Sequence, residues 1–189
     1  MKRKLFVLVV IVAFASLAAY GTLAYFTDSE TAHNIITSGE IDIALLGWAD
    51  SDKSTPVSLD DGTYDVMPGT TITKIAEVKN VGSNAAYVRV KVAKDLKLAE
   101  GKTGEANLDV IEIDWNTTDW LLQEDGYYYY RTAVEPGETT EPLFTTVHFA
   151  ETMENLYQNS TAAIHVDAFG VQVANNGDSP LTAAGWPEN

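Results

Sequence analysis

An all-β domain is what this sequence predicts: an antiparallel two-sheet sandwich of jelly-roll type with a few short helices, preceded by an N-terminal signal helix. Three observations lead there. Roughly seven to nine short segments alternate apolar and polar residues, the period of a half-buried strand. Turn pairs separate them: Asp61-Gly62, Pro68-Gly69, Gly82-Ser83, Asp125-Gly126 and Pro136-Gly137 all stand where a chain should reverse. Helical periodicity is scarce, about two turns each over residues 93–99 and 150–157.

The first residues read as an export signal. Lys2, Arg3 and Lys4 form a positive head, and residues 5–19 are apolar but for Ser16. That run is shorter than the roughly 20 apolar residues of a permanent span. Its charge lies on the side that stays in the cytoplasm. Thr22 and Ala24 then supply small side chains three and one before a cut between Ala24 and Tyr25. The competing reading is an uncleaved anchor, and only through that uncleaved segment would the protein meet a membrane. Cleavage leaves 165 residues (189 less 24), enough for one domain with a real core. The expected organisation is a signal over 1–24, an extended segment over 25–37, a sandwich over 38–175 and a loose tail over 176–189.

Within the sandwich the strands follow in order. Ile41, Ile43 and Leu45 alternate with Asp42 and Ala44. Residues 47–62 are polar and turn-rich, and read as a loop. Ile72, Ala76 and Val78 share a face that Lys74 interrupts. Val88, Val90 and Val92 alternate with Arg89 and Lys91, and Ile111, Ile113 and Trp115 with Glu112 and Asp114. Asp125-Gly126 joins Trp120-Leu121-Leu122 to Tyr127-Tyr128-Tyr129-Tyr130 as a hairpin. Leu143, Val147 and Phe149 line the next strand. Ile164, Val166 and Ala168 begin the last, where Gly170 suggests a bulge before Val171 and Val173.

Composition bounds the function. Removing three of the twelve basic residues and none of the twenty-seven acids takes the formal charge from −15 to −18. Such a surface repels nucleic acid and anionic lipid, so neither is an expected partner. The chain has no cysteine, which excludes disulfides, thiol catalysis and cysteine-based metal sites.

Several motifs resemble a known family. Gly21-Thr22-Leu23-Ala24-Tyr25-Phe26-Thr27-Asp28 straddles the cleavage site, and Thr37-Ser38-Gly39-Glu40-Ile41-Asp42-Ile43 follows. Met67-Pro68-Gly69 launches a strand that ends in Asn80-Val81-Gly82-Ser83. Val134-Glu135-Pro136-Gly137-Glu138 precedes Leu143-Phe144, and Tyr157-Gln158-Asn159 leads into the last strand. Together these resemble the TasA/camelysin (CalY) group of exported Gram-positive proteins, which a SipW-like signal peptidase processes. The resemblance implies a jelly roll, secretion to the extracellular matrix or cell surface, and assembly into biofilm fibres. In such fibres the freed N-terminal segment of one subunit adds as a strand to the next. Some relatives carry a protease label.

The residues themselves allow a donor strand. Residues 25–37 hold Tyr25, Phe26, Ile35 and Ile36, with no Pro or Gly to interrupt a ladder. An unpaired sheet edge can take up such a segment, and head-to-tail addition does not close on itself. The expected partners are therefore further copies or related matrix subunits. The other reading is that the segment folds back as an edge strand of its own domain, or stays disordered.

Catalytic patterns are weak by comparison. There is no His-Glu-x-x-His and no Gly-x-Ser-x-Gly. His148 and His165, with Glu151 nearby in sequence, are the zinc candidates, on the expectation that the two histidines meet across a sheet. His33 lies in the donor segment. Asp50, Ser51, Asp52, Lys53 and Ser54 with Asp60 and Asp61 offer oxygen ligands for calcium, although Thr55 stands where an EF-hand loop needs Gly. No cofactor is expected beyond those two metals. In Tyr127, Tyr128, Tyr129 and Tyr130, alternate rings face opposite sides, so two would meet the core and two would offer contacts to a sugar or a neighbouring subunit.

Overall fold

The structure is a computed structural model that describes residues 35–37, 41–59, 63–153 and 155–187. The signal segment and the 25–34 part of the candidate donor lie outside them. Among the described residues there are ten strands: β1 (Ile35–Thr37), β2 (Ile43–Trp48), β3 (Thr63–Asp65), β4 (Thr71–Asn80), β5 (Ala86–Lys97), β6 (Ile111–Ile113), β7 (Trp120–Leu122), β8 (Tyr127–Tyr130), β9 (Phe144–Phe149) and β10 (Thr161–Gln172). The two helical pieces are single 3₁₀ turns, Leu108–Val110 and Asn155–Tyr157.

The strands form two sheets. The first has the order β1-β10-β5-β8-β7, with β3 also on β10, and the second β2-β4-β9-β6. From β2 onward the chain crosses between sheets at every step except the β7–β8 hairpin, a jelly-roll habit. Every strand pairing is antiparallel except that of β1 with β10. The alternating residues do what their period requires. Ile43 and Leu45 from one sheet and Val88, Val90, Ile164 and Val166 from the other meet in one core. Trp120 is the largest fully buried side chain, and its indole N–H donates to the Glu141 carbonyl at 2.9 Å.

Three local expectations come out differently. Residues 93–97 continue β5 instead of forming a helix, opposite His165 through Thr161 of β10, because a long partner strand overrides a weak helical preference. Residues 150–157 keep only the one 3₁₀ turn. Gly170 makes no bulge: the β5–β10 register runs unbroken from Thr161↔Lys97 to Gln172↔Ala86. The absent side chain serves a close approach instead, for a Cβ there would lie 3.0 Å from Ile41 Cγ2 and 3.3 Å from Ile43 Cδ1. The irregularity sits in β4, between Thr73 and Ala76. There Lys74 is buried, its Nζ 3.4 Å from the carbonyls of Ser58 and Ile164 and 4.9 Å from the centre of the Tyr64 ring. Burial raises the Tyr64 pKa.

The C-terminal segment also departs from expectation. Residues 173–187, expected as a loose tail from 176, pack across the outer face of the first sheet. Asn176 donates to the carbonyls of Gln172 (2.9 Å) and Ala184 (3.1 Å) and accepts from the Ala184 N–H (2.8 Å). Tyr87 donates its hydroxyl to the Gly177 carbonyl at 3.3 Å.

Candidate functional site

A strand can be added only where backbone groups are unpaired, so the edges of the two sheets are the places to look. β10 is paired along its whole length with β5 on one side. Its other side is filled piecemeal. β3 covers Thr161 to Ala163, the Val166 N–H donates to the Leu59 carbonyl at 3.0 Å, and β1 covers Ala168 to Gly170. β1 brings Ile35, Ile36 and Thr37 opposite Ala168, Phe169 and Gly170 in parallel register. Thus Ile35 and Ile36, two of the candidate donor residues, lie on an edge strand of the domain that carries them. The other two, Tyr25 and Phe26, lie outside the described residues, as does the Ala24–Tyr25 bond.

The slot has a defined floor. Ile41 and Ile43 pack over Gly170 from the facing sheet, and both are buried. Only residues 38–40 separate the end of β1 from Ile41, so the chain passes from the first sheet to the second within a short link. On the outer side, the Phe169 ring meets Tyr127 edge-on, with centroids 5.5 Å apart, and lies under the Arg89 guanidinium at 5.4 Å.

The tyrosine run divides as its alternation requires. Tyr128 and Tyr130 turn inward, against Trp115 (4.5 Å, stacked) and Trp120 (5.0 Å). Tyr127 and Tyr129 turn outward, but their face is already occupied. Arg89 lies 3.9 Å from the Tyr127 ring centre and donates to the Tyr129 hydroxyl at 3.1 Å, and Trp186 from the tail meets Tyr129 edge-on at 5.6 Å. Burial first, then a hydrogen bond to Asp125, raises the Tyr129 pKa above the usual phenol value despite Arg89. The sequence signal that marks this cluster is the pairing of Arg89 with alternate tyrosines; the part of Trp186 has no local signal.

The metal candidates do not converge. His148 lies between the core residues Val147 and Phe149, so it points to the outer face of the second sheet, where its Nδ1 is 2.9 Å from the Thr71 hydroxyl. His165 lies between the core residues Ile164 and Val166, so it points to the outer face of the first. The thickness of the sandwich stands between them, which corrects the expectation that they meet across a sheet. Glu151 follows β9 in an exposed turn, beside Gly69. In the acidic loop, Asp50 accepts from the Ser54 N–H at 2.9 Å and its hydroxyl at 3.2 Å. Hydrogen bonds, chiefly from Thr55, hold its pKa below the ordinary value. Lys53 turns away to pair with buried Glu77, which also accepts from the Trp48 indole at 3.0 Å. Asp60 and Asp61 lie outside the described residues.

A family model described as Camelysin metallo-endopeptidase matches residues 1–179. The chain belongs to the camelysin family. The match spans residues 1–34, the sandwich and the first residues of the tail, and agrees with the motif resemblance around Ala24 and Gly39. Comparison with curated proteins and with solved structures gives no match. The camelysin description implies a metal, and the described residues do not fit one. No group of three or more His, Cys, Asp or Glu among them is arranged to hold an ion, and the two described histidines face opposite ways.

Proposed function

We propose that this camelysin-family chain is an exported structural subunit of the cell surface or extracellular matrix, joined to further copies by strand addition. The signal over 1–24 carries it out, and a SipW-like peptidase cuts between Ala24 and Tyr25. Cleavage frees residues 25–37, and the segment that ends in β1 takes the β10 slot of the next molecule in place of that molecule's own. The observation that supports this is the pairing of β1. It is three residues long, parallel, and on a sheet edge that β3 and the Leu59 carbonyl cover only in part. A segment that fits a slot in its own domain fits the same slot in an identical one.

The chain has no cysteine of its own, so a disulfide reports the exchange directly. Ile35→Cys and Ala168→Cys, made in separate chains starting at Tyr25 and mixed under oxidising conditions, should give a covalent dimer, because these positions are register partners. Filaments in negative stain should disappear when 25–37 is deleted. If the doubly substituted chain closes its disulfide internally while the mixture stays monomeric at every concentration, strand addition is wrong.

The family description also raises a surface endopeptidase. That reading predicts zinc retained after dialysis, and casein cleavage lost in a His148→Ala/His165→Ala chain. Two histidines on opposite faces argue against it.

A further inference from the structure

The N-terminal strand and the tail come close to each other through one side chain: β1 pairs with β10 at Ala168 to Gly170, and the tail holds Arg89, which lies over Phe169. Ile36 pairs with Phe169 along the sheet edge. The Phe169 ring, on the outer face, lies under Arg89. Arg89 is in turn held by the tail: its Nη2 donates to the Pro187 carbonyl at 3.0 Å, and its guanidinium stands 4.8 Å from the Trp186 ring. Its Nη1 is satisfied by the Tyr129 hydroxyl and lies 4.0 Å from Asp125, while its Nε, buried, makes no hydrogen bond among the described residues. A guanidinium buried among four aromatic rings and short of one acceptor depends on those rings to stay out of water. Trp186 is the one that arrives on a terminal segment. That segment turns back at Asn175 and Gly177, both at positive φ.

We propose that residues 176–187 are a latch, keyed by Trp186 on Arg89, that controls how firmly β10 holds the strand in its slot. This rests on the strand-addition reading for its purpose, not for its mechanics. With the latch closed, Arg89 presses on Phe169, and the edge at Ala168 to Gly170 is rigid. With the latch open, Arg89 swings toward water, Phe169 loses its cover, and β1 leaves more readily for another molecule. The two ends of the chain are thereby coupled through one arginine, and whatever captures the tail promotes strand exchange.

Hydrogen–deuterium exchange on the processed chain tests the coupling. In Trp186→Ala the tail amides of Ala183 and Ala184 and the amides of β1 should exchange about tenfold faster, while β10 at Thr161 to Ala163, under β3, keeps its protection. Trp186→Phe, which retains a ring, should restore most of it. A tail that loosens while β1 does not would overturn the coupling and leave strand addition standing. Tail protection unchanged by Trp186→Ala would show that Trp186 is not the key. Faster exchange along all of β10 would make the tail part of the general fold and not a latch. Exchange of β1 between molecules is read separately by the trans disulfide between positions 35 and 168, so the failure of one proposal is not mistaken for the failure of the other.

Discussion

Replacing Gly170 with alanine adds one methyl group at the most crowded point of the slot. That methyl would sit 3.0 Å from Ile41 Cγ2 and 3.3 Å from two carbons of Ile43. Neither isoleucine can yield into solvent, since both are almost fully buried between the sheets. Overpacking of this kind costs about 1–3 kcal/mol. The reduced freedom of the unfolded chain returns about 0.4–1 kcal/mol. The net loss should be about 1–2 kcal/mol. With a urea slope of about 1–3 kcal/mol/M, the unfolding midpoint should fall by roughly 0.3–2 M at unchanged slope. The loss should be accompanied by weaker protection of β1, because Gly170 is the register partner of Thr37. A midpoint equal to or above that of the unaltered chain would refute the close approach of β2 to β10, and with it the account of the slot's floor.

Trp120→Ala should destabilise by about 3–5 kcal/mol, seen as a large fall in the thermal midpoint, because it empties the largest buried site and leaves the Glu141 carbonyl without its donor. Asn80→Ala should cost about 1–3 kcal/mol in the same assay: its buried amide donates at 2.8 Å to the carbonyls of both Asn84 and Val134 and accepts from the Gly82 N–H at 3.0 Å. Asp114 gives a pH signature. Burial raises its pKa, but hydrogen bonds from Thr145 and Thr146 outweigh burial and leave it below the ordinary 3.8. A depressed folded-state value means that the ionised group stabilises above about pH 4, and that this contribution is lost as pH falls through the folded value. Asp114→Asn should therefore lower stability at neutral pH and flatten its decline below about pH 4; an unchanged acid limb would contradict a stabilising role for these hydrogen bonds.

Much of this molecule is legible along the chain. Alternation places Val88, Val90, Ile164 and Val166 on inner faces, since a side-chain period of two is a local property of any strand with one buried face. Asp125-Gly126 marks the β7–β8 hairpin for the same reason: a tight turn depends on its own few residues. Alternation also assigns the four tyrosines to opposite sides, although not what covers them.

Partnership between distant segments is a different matter. Whether Ile35 and Ile36 meet β10 depends on which edge is left open after ten strands have been sorted into two sheets. The parity of His148 and His165 was visible, but not that they belong to different sheets, and that alone keeps them apart. Gly170 looked like a bulge because a lone glycine in a strand has several uses; only the arrival of Ile41 and Ile43 from the facing sheet selects one. The tail carried no periodicity and read as loose, yet Trp186 finds Arg89 almost a hundred residues away. The sequence by itself determined which residues face inward and where the chain turns, because those follow from backbone geometry over a few residues. Only the tertiary structure decided which edges, rings and charges meet, because such contacts form between segments that no local rule connects.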